Sequence, residues 1–193
     1  MTVIEERCDG RVQVKVMAEK PSYERFDVAS TDSSLTFFAT STLFPVYGKA
    51  TEMTGYVEAA WNENGTLAVD PPPRMHIELK VESLRTGNEL QDREMWKLID
   101  SKRFPKIVGE LRDLSAAALP GRYAAAGNIT LAGLARRYEG ELLPSRDGDS
   151  VRVAGEINVD VRDFGLKSMN LLVLSVEPLV RVRLRMVARK KKG

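Results

Sequence analysis

The chain has one histidine, His76, and one cysteine, Cys8. One of each cannot build a cysteine-rich metal site, an internal disulfide or the usual nucleophile–base pairs. There is no G-x-S-x-G elbow, no phosphate-binding glycine loop and no H-E-x-x-H helix. Asp163-Phe164-Gly165 shares its letters with the magnesium triplet of kinases, but the rest of that set is missing and the triplet closes a strand pattern. His76 lies with Glu78, Lys80 and Glu82 on the polar face of an alternating run, the setting of a solvated surface histidine. Cys8 is expected to be passive. Carboxylates are plentiful but fall at outer-face or turn positions. The residues argue against an enzyme, and no catalytic, metal or cofactor site is expected.

The chemistry that remains is apolar, and strands must position it. Met75, Ile77, Leu79 and Val81 alternate with His76, Glu78, Lys80 and Glu82 over residues 74–84. Residues 123–131 repeat the pattern, with Ala125, Gly127, Ile129 and Leu131 on one face. Val151, Val153, Gly155, Ile157, Val159 and Val161 make a long one-sided strand, and Val180, Val182, Leu184 and Met186 another. Shorter strands are expected at 35–39 and 53–61, and Val12, Val14 and Val16 predict one more ahead of the main body, broken by Lys20-Pro21-Ser22. Turn chemistry at 62–65 and 146–149 fits hairpins.

One stretch differs. Residues 89–100 predict a short helix with Asn88 as N-cap, Gln91 closing a capping box, and a stripe of Leu90, Met95, Leu98 and Ile99. Phe104-Pro105 stops it. Seven to nine one-faced strands around a single helix predict an all-β fold, a closed antiparallel barrel of about eight strands with one short helical insert. Small inward residues, Ala125, Gly127 and Gly155, would leave room inside.

The chain is 193 residues long and 43% hydrophobic, which suits one domain with a substantial core. No apolar run approaches the ~20 residues that span a bilayer. The N-terminus lacks a basic region followed by an apolar one, so a cytoplasmic location is expected. The net charge of +2 hides an asymmetry, because the last thirteen residues carry seven basic side chains and no acid. The rest of the chain is mildly acidic.

Several segments, in order, resemble the YceI-like family of lipocalin-like, polyisoprenoid-binding proteins. They are Ser33-Ser34-Leu35-Thr36-Phe37, Thr86-Gly87-Asn88 with Asp92 and Phe104-Pro105, residues 127–134 (GNITLAGL), and Asp163-Phe164-Gly165. The resemblance runs over residues 26–188, leaving 1–25 as an N-terminal extension and 189–193 as a basic tail. It implies a lipocalin-like barrel whose lumen takes a long apolar chain, with the helix near one end. The chain departs from the family at Ser33 and about Ser41, where histidines are usual, at Gln91-Asp92 and Glu94, which replace an arginine-aspartate and a histidine, and at Val161, which replaces an arginine.

Alternation alone leaves a solid core and a hollow lumen equally open, and the resemblance favours the lumen. The candidate ligand-binding residues on strand faces are Leu35, Phe37, Ile77, Leu79, Val81, Ile129 and Leu131. Met95, Trp96 and Leu98 from the helix, with Phe104 and Phe164, complete the set. The expected function is non-enzymatic binding or carriage of an isoprenoid or other long-chain lipid. The alternative is an interaction protein that applies Arg181, Arg183, Arg185 and the tail to an acidic partner or an anionic membrane surface. A homodimer is a further candidate assembly. Nucleic acid is disfavoured by the acidic body and the lack of stacking aromatics among the basic residues.

Overall fold

The computed structural model describes residues 23–50, 52–167 and 175–191 in full, and the backbone alone of 2–8, 11–17, 170–171 and 174. Strands β1 (Thr2–Cys8) and β2 (Arg11–Met17) pair as an antiparallel hairpin in a sheet of their own. The strand expected around Val14 is therefore one arm of a hairpin. The Cys8 side chain and the Lys20-Pro21-Ser22 break lie outside the described residues.

The body is a meander that closes on itself. Strands β3 (Glu24–Val28) and β4 (Ser34–Ser41) are two halves of one wall strand, split by a 3-10 turn at Ser30–Asp32. Strands β5 (Val46–Ala50) and β6 (Met53–Ala59) return alongside them, β5 on β4 and β6 on β3. The wall continues through β7 (Arg74–Lys80), β8 (Lys106–Ala116), β9 (Tyr123–Leu131), β10 (Leu134–Asp147) and β11 (Ser150–Asp160). A two-residue strand, β12 (Asn170–Leu171), pairs with the start of the last strand, β13 (Leu174–Lys190). One edge of β13 pairs β11, and the other pairs β4 and then β3. With each split pair counted once, this is a closed antiparallel barrel of eight strands. Closure leaves no long unpaired edge to template aggregation.

The split in the first wall strand is bridged by Ser33. Its hydroxyl donates to Ala29 O at 2.8 Å and accepts from Val187 N at 3.0 Å, so a side chain replaces part of the missing ladder. Closure is also tied at the far end. Glu24 on β3 takes a two-pronged bond from Arg146 on β10, at 3.0 and 2.9 Å, and another from Lys190 on β13 at 3.1 Å. These bonds, the first above all, hold the Glu24 carboxyl below the ordinary glutamate range.

Three expectations need correction. The run from 74 does not stay extended to 84: β7 ends at Lys80 and Val81–Ser83 form a 3-10 turn, which steers the chain over the barrel mouth. Helix α1 (Glu89–Ile99) buries Gln91, Asp92, Met95 and Ile99, while Leu90 is 43% exposed. Asn88 caps it, accepting from the amides of Leu90 and Gln91, but its own amide donates to Thr86 Oγ1 rather than to Gln91. A basic tail does not start at 189. Strand β13 runs through Lys190, Arg189 pairs with Asp32 at 2.5 Å, and Lys190 N–H bonds to Asp149 O. Lys192 lies outside the described residues.

Candidate functional site

The barrel interior is partly filled and partly hollow. Phe26, Met53, Val151, Met186 and Ala188 are essentially fully buried and do not border the larger hollow. That hollow is a cavity of about 260 Å³ whose walls are almost entirely apolar. An engineered cavity of ~150 Å³ lined by such side chains stays dry and admits small apolar molecules. A much smaller void of about 30 Å³ lies beyond Met75, Leu111 and Leu142, which border both spaces and form the constriction between them.

The sequence keeps this space open by pairing bulky side chains with glycine. Phe37 lies across from Gly48, and a methyl added there would fall 2.0 Å from Cζ of the ring. Leu142 lies over Gly155, with 2.7 Å to an added methyl, and Ile157 over Gly140, with 2.6 Å. Ile77 folds towards Gly109 in the same way. In each pair the large side chain lies flat along the wall instead of standing into the lumen. Gly127 serves another purpose: its missing methyl would meet the backbone oxygen of Glu110 at 2.4 Å, so it permits close strand approach next to the bulge in β8.

The lid is α1. Met95 and Ile99 on the helix, with Leu84 and Thr86 before it, form part of the lumen wall. The lid is anchored by hydrogen bonds that tie Asp92 and Trp96 to residues 84–86. Asp92, 3% exposed, accepts from the amide and hydroxyl of Thr86 at 2.7 and 2.8 Å. Trp96 donates from Nε1 to Leu84 O at 3.1 Å, and the Arg85 guanidinium lies 4.3 Å from the centre of its ring.

Of the residues named from sequence, Leu35, Phe37, Ile77 and Leu79 line the lumen, as do Met95, Ile129 and Leu131. Five are not on its wall. Val81 is fully buried in the 3-10 turn after β7, and Leu98 is half-buried on α1. Trp96 anchors the lid from outside. Phe104 packs over Gly133, which has no methyl to obstruct it. Phe164, 2% exposed, stacks on Tyr138 with ring centres 6.0 Å apart. Phe164 is buried and Trp96 and Phe104 are partly so, but burial does not distinguish lumen from core.

Sequence reasoning missed Ile99, Ile107, Val176 and Tyr138 as wall residues. Ile99 follows Met95 by one helical turn, which was a usable signal. Tyr138 was not legible: its hydroxyl donates to Asp163 at 2.7 Å and pins the Asp163-Phe164-Gly165 corner to β10. Burial first, and then the Asp163 carboxylate, push the Tyr138 phenol up to about 12, so it stays a donor across the physiological range. Outside the barrel, His76 lies 3.3 Å from Glu78 and 3.6 Å from Glu110, half-buried beneath Tyr56. Among the described residues no group of three or more acids, histidines or cysteines is arranged to hold a metal ion. Among the described residues no helix is long and apolar enough to cross a membrane.

Eight antiparallel strands around an apolar hollow, with one helix across its mouth, define a lipocalin-like barrel. The model of the YceI-like domain matches residues 26–188, and the chain belongs to that family. Solved structures share the fold. BcnA of Burkholderia cenocepacia aligns with a TM-score of 0.69 at 14% identity, over 83% of this chain and 99% of its own. A polyisoprenoid binding domain from Saccharophagus degradans, implicated in plant cell wall breakdown, aligns at 0.68 and 14% identity, over 89% and 100%. The YceI protein of Campylobacter jejuni aligns at 0.61 and 12%, over 78% and 88%. No curated protein matches the chain.

Proposed function

We propose that the protein binds a long-chain isoprenoid or similar lipid in its lumen and carries it without chemical change. The single observation behind this reading is the hollow itself, about 260 Å³ of apolar space inside a closed barrel. At the roughly 30 Å³ that each water-sized group fills, about nine fit. Roughly nine buried methylenes at ~0.8 kcal/mol each contribute about 7 kcal/mol before the cost of ordering the chain. The description of the Saccharophagus degradans domain as polyisoprenoid binding supports the same ligand class.

The basic strand gives less support to a second role at an acidic surface. Arg181 and Arg183 are held by Glu156 at 3.5 and 2.6 Å, and Arg189 and Lys190 by Asp32 and Glu24. The test is solvent extraction of protein purified from cells, with mass spectrometry of the extract. A stoichiometric long-chain lipid is expected. An empty protein that also fails to take up added geranylgeraniol would refute the reading.

A further inference from the structure

We infer that the lumen selects chains with a neutral, hydrogen-bonding head group and rejects anionic ones such as phosphates and carboxylates. This rests on the lumen reading above and adds the chemistry of the ligand's polar end.

The first ground is charge. Among the described residues no lysine or arginine lies on the lumen wall, and the charged residues there are Glu110, Glu139, Glu141 and Glu156. All four send their side chains outward to arginines: Arg112 for Glu110, Arg137 for Glu139, Arg122 for Glu141, and Arg181 and Arg183 for Glu156. They leave backbone alone at the wall. An anion drawn inside would be desolvated among apolar groups with no cation to meet it.

The second ground is the lid. The positive end of α1 is already occupied, because Asn88 caps it and Glu89 and Asp92 lie in its first turn. Arg85, just before the helix, is committed to the Trp96 ring and lies 3.7 Å from the buried Asp92. An anionic head group at this rim would compete with Asp92 for Arg85.

The third ground is Gln91. It is 8% exposed, and its side-chain amide makes no hydrogen bond among the described residues. Gln91, Met95 and Ile99 form one row of the helix, spaced four apart, and the last two line the lumen. Gln91 therefore continues that row one turn beyond the wall. An amide offers both donor and acceptor without charge, which suits a hydroxyl, carbonyl or carboxamide. The Gln91 amide still reaches solvent at this rim, where a neutral head group can take the place of water.

The test uses delipidated full-length protein and titrates probes with one chain and different heads: hexadecane, hexadecanol, hexadecanamide, hexadecanoate and hexadecyl phosphate, at neutral pH. Geranylgeraniol and geranylgeranyl diphosphate repeat the comparison on an isoprenoid. The alcohol and amide are expected to bind at least roughly ten-fold more tightly than the anions. Gln91→Leu should weaken the amide and the alcohol roughly three- to ten-fold and leave hexadecane unchanged. Anionic probes bound as tightly as neutral ones, or a Gln91→Leu protein that weakens every probe equally, overturns the inference but leaves the lumen reading standing. If no probe binds, hexadecane included, both fall together.

Discussion

Replacing Leu79 by tryptophan tests the hollow most directly. Leu79 lies on β7, 3% exposed, on the lumen wall between Met53 of β6 and Ile107 of β8. Tryptophan adds roughly six heavy atoms, which displace about four methylenes of a bound chain. At ~0.8 kcal/mol each, the loss is about 3 kcal/mol, or roughly 200-fold in affinity. The unliganded protein should tolerate the ring, because the cavity of about 260 Å³ can receive it. Its stability should change by less than ~1 kcal/mol, against the ~1–3 kcal/mol that overpacking costs in a filled core. The assay pairs urea denaturation with mass spectrometry of extracted lipid, on wild type and Leu79→Trp side by side. Undiminished lipid in a folded variant would refute the placement of the ligand against β7. A loss of several kcal/mol in the empty protein would show that the hollow cannot open to this side.

Three further outcomes follow from the wall, the lid and the closure. Gly48→Ala should push the Phe37 ring off the wall and into the lumen, lowering chain affinity more than stability; isothermal titration with geranylgeraniol checks this. Asn88→Ala should cost about 1 kcal/mol by leaving the first amides of α1 without a cap, measured by thermal denaturation. Glu24→Gln should remove an acid-sensitive contribution. The Glu24 carboxyl titrates below the ordinary value of ~4.3, so its bonds to Arg146 and Lys190 stabilise the fold above that pH and are lost as pH falls through the folded value. The stability gap between wild type and Glu24→Gln should therefore be constant at neutral pH and close on acidification.

Strand alternation and turn chemistry in the sequence determined the barrel, because a period of two with one apolar face leaves closure as the way to bury every face and remove every edge. The lid helix was legible for the same kind of local reason: Asn88 caps it, and Asp100 in a left-handed conformation ends it just ahead of Phe104-Pro105. The family was legible because its marks are short segments in a fixed order. What the lumen contains was decided by the tertiary structure alone. Apolar character puts Ile77, Phe26 and Phe164 inside alike, yet Ile77 borders a hollow while Phe26 and Phe164 fill solid core. The difference lies in partners distant in sequence, such as Phe37 over Gly48 or Tyr138 under Phe164, which a one-dimensional period does not encode. The basic strand shows the same limit. Its basic residues read as a free cationic face, and closure of the barrel brought Glu156 against Arg181 and Arg183, Asp32 against Arg189 and Glu24 against Lys190.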